Sequence, residues 1–296
     1  MRVSANETAT YISECLQLAL LLEVSAYPKP GNIHRTADFP ETRYEQFLAS
    51  AVALGRHFRE AAMRGVLVSK RKIRLNEVGV GETIRNAVFD MTNRQRGGNT
   101  GLGSILLLSP IAVAAGMTVH NRSISPRNLR KAIRMTVEST TAKDAVAVYD
   151  AILAAKPGGL GKVSKLDIRD SNSKTRILRE KLTLLNIFEM ASNYDSIASE
   201  WAKNYTITFD LGYPYFTQQL RETKDINVAT VHVFLKILSE VPDSLIVRKV
   251  SIDKAREVSK TAREILGVGA LMSEEGRRRL KEFDEKLRTP SHELNP

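Results

Sequence analysis

Apolar residues recur at three- and four-residue spacing along almost the whole chain, and this pattern limits the fold more than any other feature. Such spacing places apolar side chains on one side of an α-helix, whereas the alternation typical of strands is scarce. Proline and glycine interrupt the pattern and mark helix ends. The predicted helices cover residues 7–25, 41–64, 77–95, 101–118, 126–137, 140–155, 176–203, 213–240, 252–266 and 272–287. We therefore predict an all-α protein of about ten helices.

The length of 296 residues allows one large domain or two smaller ones, and no internal repeat is visible. We predict a single α-helical domain over residues 1–296. Residues 156–175 mix glycine, serine, aspartate and basic side chains, which is typical of a mobile loop. The polar residues after 287 predict a frayed tail behind a charged, solvated final helix.

Composition and cysteine usage exclude several classes of protein. A hydrophobic fraction of 43% with 26% charged residues describes a globular chain rather than a disordered one. The single cysteine, Cys15, excludes a disulfide framework and favours a cytoplasmic location; within its apolar helix we expect a buried, inert thiol. The most apolar window, residues 105–117, is shorter than the roughly 20 residues of a membrane span, so no membrane association is expected.

The net charge of +11 is uneven, because basic residues concentrate in segments 56–74, 122–143 and 156–181. Such clusters attract phosphate groups, or they are solvated helix faces. No zinc-finger or RNA-binding signature accompanies them, so small molecules rather than nucleic acid are the expected partners. The sequence leaves a homodimer open.

The first candidate site follows the first predicted helix and reads EVSAYPKPGNIH over residues 23–34. Prolines on both sides of Lys29 fix the backbone, and Gly31 permits a turn that other residues avoid. A stiff loop could hold Lys29 and His34 for phosphate binding or proton transfer. The alternative is a helix stop followed by an exposed turn.

The helix predicted over residues 77–95 has one face rich in carboxylates and amides. The members of this face are Glu82, Arg85, Asn86, Asp90 and Asn93, and the opposite apolar face contains Ile84, Ala87, Val88 and Met91. The polar face could bind a metal ion and nucleotide hydroxyls, or it is a solvated surface.

A glycine-rich loop, RGGNTGLG over residues 96–103, leads from that helix into an apolar one. The free N–H groups and the positive dipole end of the second helix could bind a phosphate beside Asn99, Thr100 and Gly101. The loop is not a Walker motif, because no lysine follows its last glycine and no strand precedes it. Alternatively, Asn99 and Thr100 cap the helix and the glycines serve close packing.

A third segment, TTAKDA over residues 140–145, brings two threonines and Asp144 into one helical turn. The carboxylate of Asp144 could serve Mg²⁺ or an acceptor hydroxyl. Capping of the helix is the alternative.

In their order and spacing, these segments resemble the triphosphoribosyl-dephospho-CoA synthase family, in a divergent branch of archaeal type. The resemblance rests on the EV and PKPG residues, the Gly81–Glu82 pair and the GNT triplet, and it is clearest over residues 16–120. It implies an all-α transferase that joins the triphosphoribosyl group of ATP to a ribose hydroxyl of a dephospho-CoA-like acceptor and releases adenine. The family residues that it places here are Glu23, Lys29, Gly31, Glu82, Asn99 and Thr100.

Three positions depart from the family pattern. His34 stands where the family has aspartate, and Gly101 and Leu102 stand where it has histidine and lysine. We expect these departures to affect recognition of the acceptor substrate more than recognition of ATP.

The implied reaction requires a carboxylate, because departure of adenine from ribose C1 creates an oxocarbenium-like state and the attacking hydroxyl must lose a proton. We expect Glu82 in this catalytic role, with Glu23 as a second carboxylate or as a brace of its loop. Groups expected at the ATP phosphates are Lys29, Gly31, His34, Asn99, Thr100 and Gly101, and those expected at Mg²⁺ are Asp90 and Asp144. Two other hypotheses stay open: a catalytically silent protein that binds a nucleotide, cofactor or RNA, and an ATP-dependent phosphotransferase.

Overall fold

The structure is a computed structural model that describes residues 4–119, 123–158, 166–288 and 296. Over these residues the regular structure is helical, and the predicted all-α class is confirmed. The α-helices are α1 (Ala5–Ser25), α2 (Tyr44–Ser69), α3 (Val80–Arg94), α4 (Leu102–Thr118), α5 (Pro126–Glu138), α6 (Ala142–Ala155), α7 (Ser171–Glu180), α8 (Leu184–Ala191), α9 (Ser196–Ala202), α10 (Tyr213–Thr223), α11 (Ile226–Glu240), α12 (Ser244–Lys249), α13 (Ile252–Gly267) and α14 (Glu274–Arg288).

The described chain has more helices than predicted, because two long segments are divided. The helix expected over residues 176–203 is α7, α8 and α9: Lys181 takes a left-handed backbone with φ +53°, and Thr183 caps the next helix. Likewise, Lys224 at φ +57° separates α10 from α11, and Asp225 caps the latter. A lysine with a left-handed backbone gives no sequence signal comparable to that of glycine. The periodic apolar pattern therefore predicts a continuous helix across each break.

Two other expectations have mixed outcomes. Helix α7 begins at Ser171, inside the stretch predicted as a loop over residues 156–175, whereas residues 159–165 lie outside the described residues. Helix α14 continues to Arg288, and residues 289–295 of the expected tail lie outside the described part. Helix α12 had not been predicted.

Helix α2 lies at the centre of the first four helices. It runs antiparallel to α1, since Ser13 Oγ donates to the Gly55 carbonyl over 2.6 Å whereas Ser25 Oγ lies 2.8 Å from Tyr44 Oη. It also runs antiparallel to α3, since His57 Nε2 lies 2.9 Å from Asp90 Oδ2 whereas Arg64, later on α2, donates to the Glu77 carbonyl just before α3. The carboxyl end of α1, the start of α2 and the end of α3 therefore share one end of this helix group.

Helices α2 and α4 pack with their backbones in direct contact. A Cβ on Gly65 would lie 2.0 Å from the Val113 carbonyl oxygen, and a Cβ on Gly116 would lie 2.0 Å from that of Ala62. No real side chain fits at such a distance, so the close approach depends on both glycines.

Two clusters of buried apolar residues hold the described helices together. The larger contains residues of α1 to α9, and the smaller contains residues of α11 to α14. Helix α14 was expected to be solvated, but it buries one face made of Leu280, Phe283, Asp284 and Leu287. The thiol of Cys15, expected to be buried, is exposed on α1. Because α1 is apolar on most sides, its sequence did not indicate which face would meet solvent.

None of the helices in the described ranges combines the length and apolar composition that a bilayer crossing needs.

Candidate active site

The proline-flanked loop after α1 places Lys29 and Glu23 in contact. The Lys29 side chain is 2% exposed, and its Nζ donates to Glu23 Oε1, whereas the Glu23 side chain is 57% exposed. An ammonium taken out of water needs a partner, and here the carboxylate supplies it. The accessible member of the pair is therefore Glu23, and Lys29 anchors it from beneath.

The next turn of the loop is fixed by a residue from the far end of the chain. Gly31 has φ +72°, in the region that favours glycine, and its N–H donates to Asp284 Oδ1 over 2.9 Å. His34 is 2% exposed, with Nε2 at 3.2 Å from Asp284 Oδ2 and Nδ1 at 3.1 Å from Thr36 Oγ1. Both ring nitrogens of His34 are thus already engaged by protein groups, which argues against the phosphate contact expected of this histidine.

Asp284 is charged in this setting. Burial alone would raise the pKa of Asp284, but the hydrogen bond from His34, the charge of Arg288 and the Gly31 amide outweigh burial and lower it below its ordinary value.

The glycine-rich loop before α4 has the geometry of a helix cap. Asn99 Oδ1 accepts from the Leu102 N–H over 2.9 Å and from the Gly101 N–H over 3.3 Å. Thr100 is 8% exposed, and its hydroxyl lies 2.6 Å from Ser50 Oγ on α2. The capping alternative thus describes the side chain of Asn99, whereas the Thr100 hydroxyl contacts Ser50 and Gln95 instead of an amide of α4. The start of α4 keeps its positive dipole end.

The loop over residues 96–103 and the proline-flanked loop lie at the same end of the helix group. Thr42 Oγ1 donates to the Gly97 carbonyl over 3.2 Å, and a Cβ on Gly97 would collide with Gln46 near the start of α2. The first turn of α2 is joined in turn to α1, through Tyr44 and Ser25. The start of α2 therefore lies between the two loops.

Glu82 lies at the other end of α3. It belongs to the first turn of that helix, with its side chain 67% exposed and 3.6 Å from Arg85. Twelve residues separate it from Arg94, which at 1.5 Å per residue is about 18 Å. The structure therefore separates Glu82 from the loops that contain Lys29 and Asn99. The polar face of α3 otherwise formed as predicted, since Ile84, Ala87, Val88 and Met91 on the opposite face are 0% exposed.

Asp144 connects α6 with α3. Its Oδ2 accepts from the Thr141 N–H and hydroxyl at 2.8 and 2.7 Å, and its Oδ1 accepts from the Gly81 N–H at 2.8 Å. Gly81 approaches so closely that a Cβ there would lie 2.3 Å from the Asp144 carbonyl oxygen. The carboxylate of Asp144 is thereby used in capping and in helix packing.

Asp90 is also engaged by protein groups. Arg56 lies 2.5 Å and His57 lies 2.9 Å from its Oδ2. Burial would raise the pKa of Asp90, but the hydrogen bond from His57 and the charges of His57, Arg56 and Arg94 keep it below its ordinary value.

The two aspartates expected at Mg²⁺ do not form one metal site. Asp144 contacts Gly81, and the nine residues from Gly81 to Asp90 along α3 correspond to about 13 Å. In the described part of the chain, no group of three or more His, Cys, Asp or Glu side chains is arranged to hold a metal ion. The described residues therefore do not fit a magnesium ion held by the protein alone.

Sequence reasoning missed the residues that hold the proline-flanked loop from outside. Asn227 at the start of α11 pairs with the Tyr27 backbone, accepting from its N–H and donating to its carbonyl, both over 2.9 Å. Asp284 and Arg288 of α14 hold the other end of the loop. These contacts join residues about 200 or more positions apart, and local patterns give no signal for them.

The start of α4 also adjoins the pair formed by Asp195 and Arg248. A Cβ on Gly103 would lie 3.5 Å from Ile197 in the first turn of α9. Asp195 caps α9 through the Ala198 N–H, and its other oxygen lies 2.6 Å from Arg248 at the end of α12. A cation is thus held near the glycine-rich loop.

Comparison with known proteins agrees with these motifs. The model of the family CitG, ATP:dephospho-CoA triphosphoribosyl transferase, matches residues 9–296. A crystal structure from Archaeoglobus fulgidus, described as a proposed triphosphoribosyl-dephospho-CoA synthase, superposes with a TM-score of 0.58 at 22% identity, covering 81% of this chain and 87% of that one. No curated protein sequence matches the chain. The family match spans nearly the whole chain, which therefore belongs to the ATP:dephospho-CoA triphosphoribosyl transferase family.

Proposed function

We propose that this chain carries out its family's reaction, the transfer of the triphosphoribosyl group from ATP to dephospho-CoA, at the end of the helix group where the proline-flanked and glycine-rich loops lie. The observation that supports this placement is the Lys29–Glu23 pair, in which a buried ammonium holds an exposed carboxylate. That arrangement presents a negatively charged group to a ligand while fixing its position, as a reaction at a cationic centre requires.

In the proposed step, the bond between ribose C1 and adenine N9 breaks, and adenine leaves with the bonding electron pair. A ribose hydroxyl of dephospho-CoA forms the new bond to C1. Its proton passes to Glu23 and then to solvent, and the departing adenine takes up a proton from solvent. The same carboxylate stabilises the positive charge that develops on the ribose.

The start of α4 is proposed as the phosphate-binding element. A helix N-terminus favours anions through its amide groups and dipole, and α4 is 17 residues long. Asn99 fixes the first turn of this helix in place. Magnesium is proposed only as the ion that ATP brings with its phosphates, because Asp90 and Asp144 are both engaged elsewhere.

The test is chromatography of ATP and Mg²⁺ after incubation with the purified protein, with and without dephospho-CoA. Adenine that appears only with dephospho-CoA supports the proposal. ADP would indicate the phosphotransferase hypothesis instead, and bound but unchanged ATP would indicate a silent binding protein. Either of these two results would overturn the proposed reaction.

A further inference from the structure

The carboxylate of Asp284 is the point at which α14 contacts the proline-flanked loop. Its side chain is 12% exposed and receives hydrogen bonds on both oxygens: the Gly31 N–H and Arg288 Nε on Oδ1, and His34 Nε2 on Oδ2. A buried carboxylate with this number of donors is held in one orientation. It therefore fixes two positions of the loop, Gly31 and His34, relative to α14.

The partners of His34 differ in chemistry at its two ring nitrogens. The Thr36 backbone N–H lies 3.4 Å from Nδ1, and the Asp284 carboxylate lies 3.2 Å from Nε2. The charged carboxylate of Asp284 can only accept, so Nε2 carries a hydrogen and donates to Asp284. Aspartate in place of His34 would set a second carboxylate against Asp284, so the histidine found here is matched to the aspartate of α14.

Arg288 extends the same connection along the loop. Its guanidinium donates to the Asn32 carbonyl and reaches the Asp38 carbonyl at 3.4 Å, and it lies 5.0 Å from the centre of the Phe39 ring. Asp284 and Arg288 together hold the loop from Gly31 onward against the last helix.

Lys29 lies two residues before Gly31, between two prolines whose φ angles are fixed. The Asn32 N–H donates to the Lys29 carbonyl over 3.1 Å, so the turn that contains Gly31 also holds the backbone of Lys29. The chain of contacts from Asp284 through Gly31 and Lys29 ends at the carboxylate of Glu23.

We propose that Asp284 is a positioning residue for the transfer reaction, acting through Gly31 and His34 to hold Lys29 and Glu23 in place without touching substrate. The proposal rests on the function proposed above for Glu23. It assigns to α14 a role that neither its charged sequence nor its place at the end of the chain indicates.

The experiment compares Asp284→Asn with Glu282→Gln, which removes an exposed carboxylate from the same helix, one that pairs with Arg278. We expect kcat for adenine release to fall at least tenfold in Asp284→Asn and to stay within twofold in Glu282→Gln, at a temperature where both are folded. In the Glu23→Gln background, Asp284→Asn should lower kcat by less than a further twofold, because the effect of Asp284 on the reaction passes through Glu23. Equal effects in both backgrounds would show a merely structural role and overturn the proposal.

Hydrogen–deuterium exchange separates this inference from the proposed function. Peptides covering residues 27–39 should exchange at least tenfold faster in Asp284→Asn than in the wild type and in Glu282→Gln, whether or not adenine is released. Unchanged exchange would contradict the connection even if the enzyme is active. If Asp284→Asn does not fold, His34→Ala removes one of the two contacts of Asp284 with the loop. It should lower kcat at least threefold and speed exchange in the same peptides, and no change in either measurement would refute the proposal.

Discussion

The Lys29 ammonium is buried beneath the Glu23 carboxylate, so the two members of one ion pair differ sharply in exposure, at 2% and 57% of the side chain. The consequence of removing one partner depends on which residue remains. Without Lys29, the remaining carboxylate can be hydrated; without Glu23, a buried ammonium loses its charged partner. The pair should therefore respond asymmetrically to substitution.

Lys29→Met should leave the free energy of unfolding close to that of the wild type, because methionine fills the buried space without a charge. Glu23→Ala should lower it by about 1–3 kcal/mol, the usual consequence of leaving a buried donor unsatisfied. Urea denaturation of both variants measures the difference. A larger loss for Lys29→Met than for Glu23→Ala would contradict the burial pattern.

The backbone contact between α2 and α4 predicts a stability effect with a matched control. Gly116→Ala should lower the free energy of unfolding by about 2 kcal/mol or more, since the new Cβ would press on the Ala62 carbonyl. Gly267→Ala at the end of α13 should be nearly neutral, because nothing lies within 4 Å of its Cβ position. Equal melting temperatures for the two variants would show that α2 and α4 can move apart without a loss of stability, and would contradict this prediction.

The lowered pKa of Asp284 predicts an acid dependence of stability. A carboxyl whose folded pKa lies below its ordinary value of 3.8 stabilises the protein above that value, and the contribution is lost as the pH falls through the folded pKa. Asp284→Asn should thus show a smaller loss of unfolding free energy than the wild type between about pH 5 and pH 2. Glu282→Gln serves as the control, and parallel wild-type and Asp284→Asn curves would contradict the assignment.

Much of the fold was predictable because helical periodicity is a local property. The apolar face of α3 and the bounds of α4 follow from nearest-neighbour spacing. The breaks at Lys181 and Lys224 could not be predicted from the sequence, because lysine does not favour the left-handed backbone found at both positions.

The candidate site was predictable only in pieces. The two loops were located from proline and glycine, but their contacts with Asp284 and Asn227 join distant parts of the chain. The separation of Glu82 from the glycine-rich loop did have a signal, since a helix predicted to run to residue 95 must place that end about 20 Å from Glu82. Residues on one face of a helix need not belong to one site, and Glu82 lies too far along α3 to reach the glycine-rich loop.

The central claim is that the transfer reaction is centred on Glu23, and the most direct test compares Glu23→Gln, Glu82→Gln and the wild type. The measurement is kcat for adenine release that depends on dephospho-CoA, with folding checked by circular dichroism. We predict a loss of at least about 100-fold for Glu23→Gln, the usual scale for removing a general base, and less than about threefold for Glu82→Gln. The reverse order would place the reaction at the start of α3 and contradict the account.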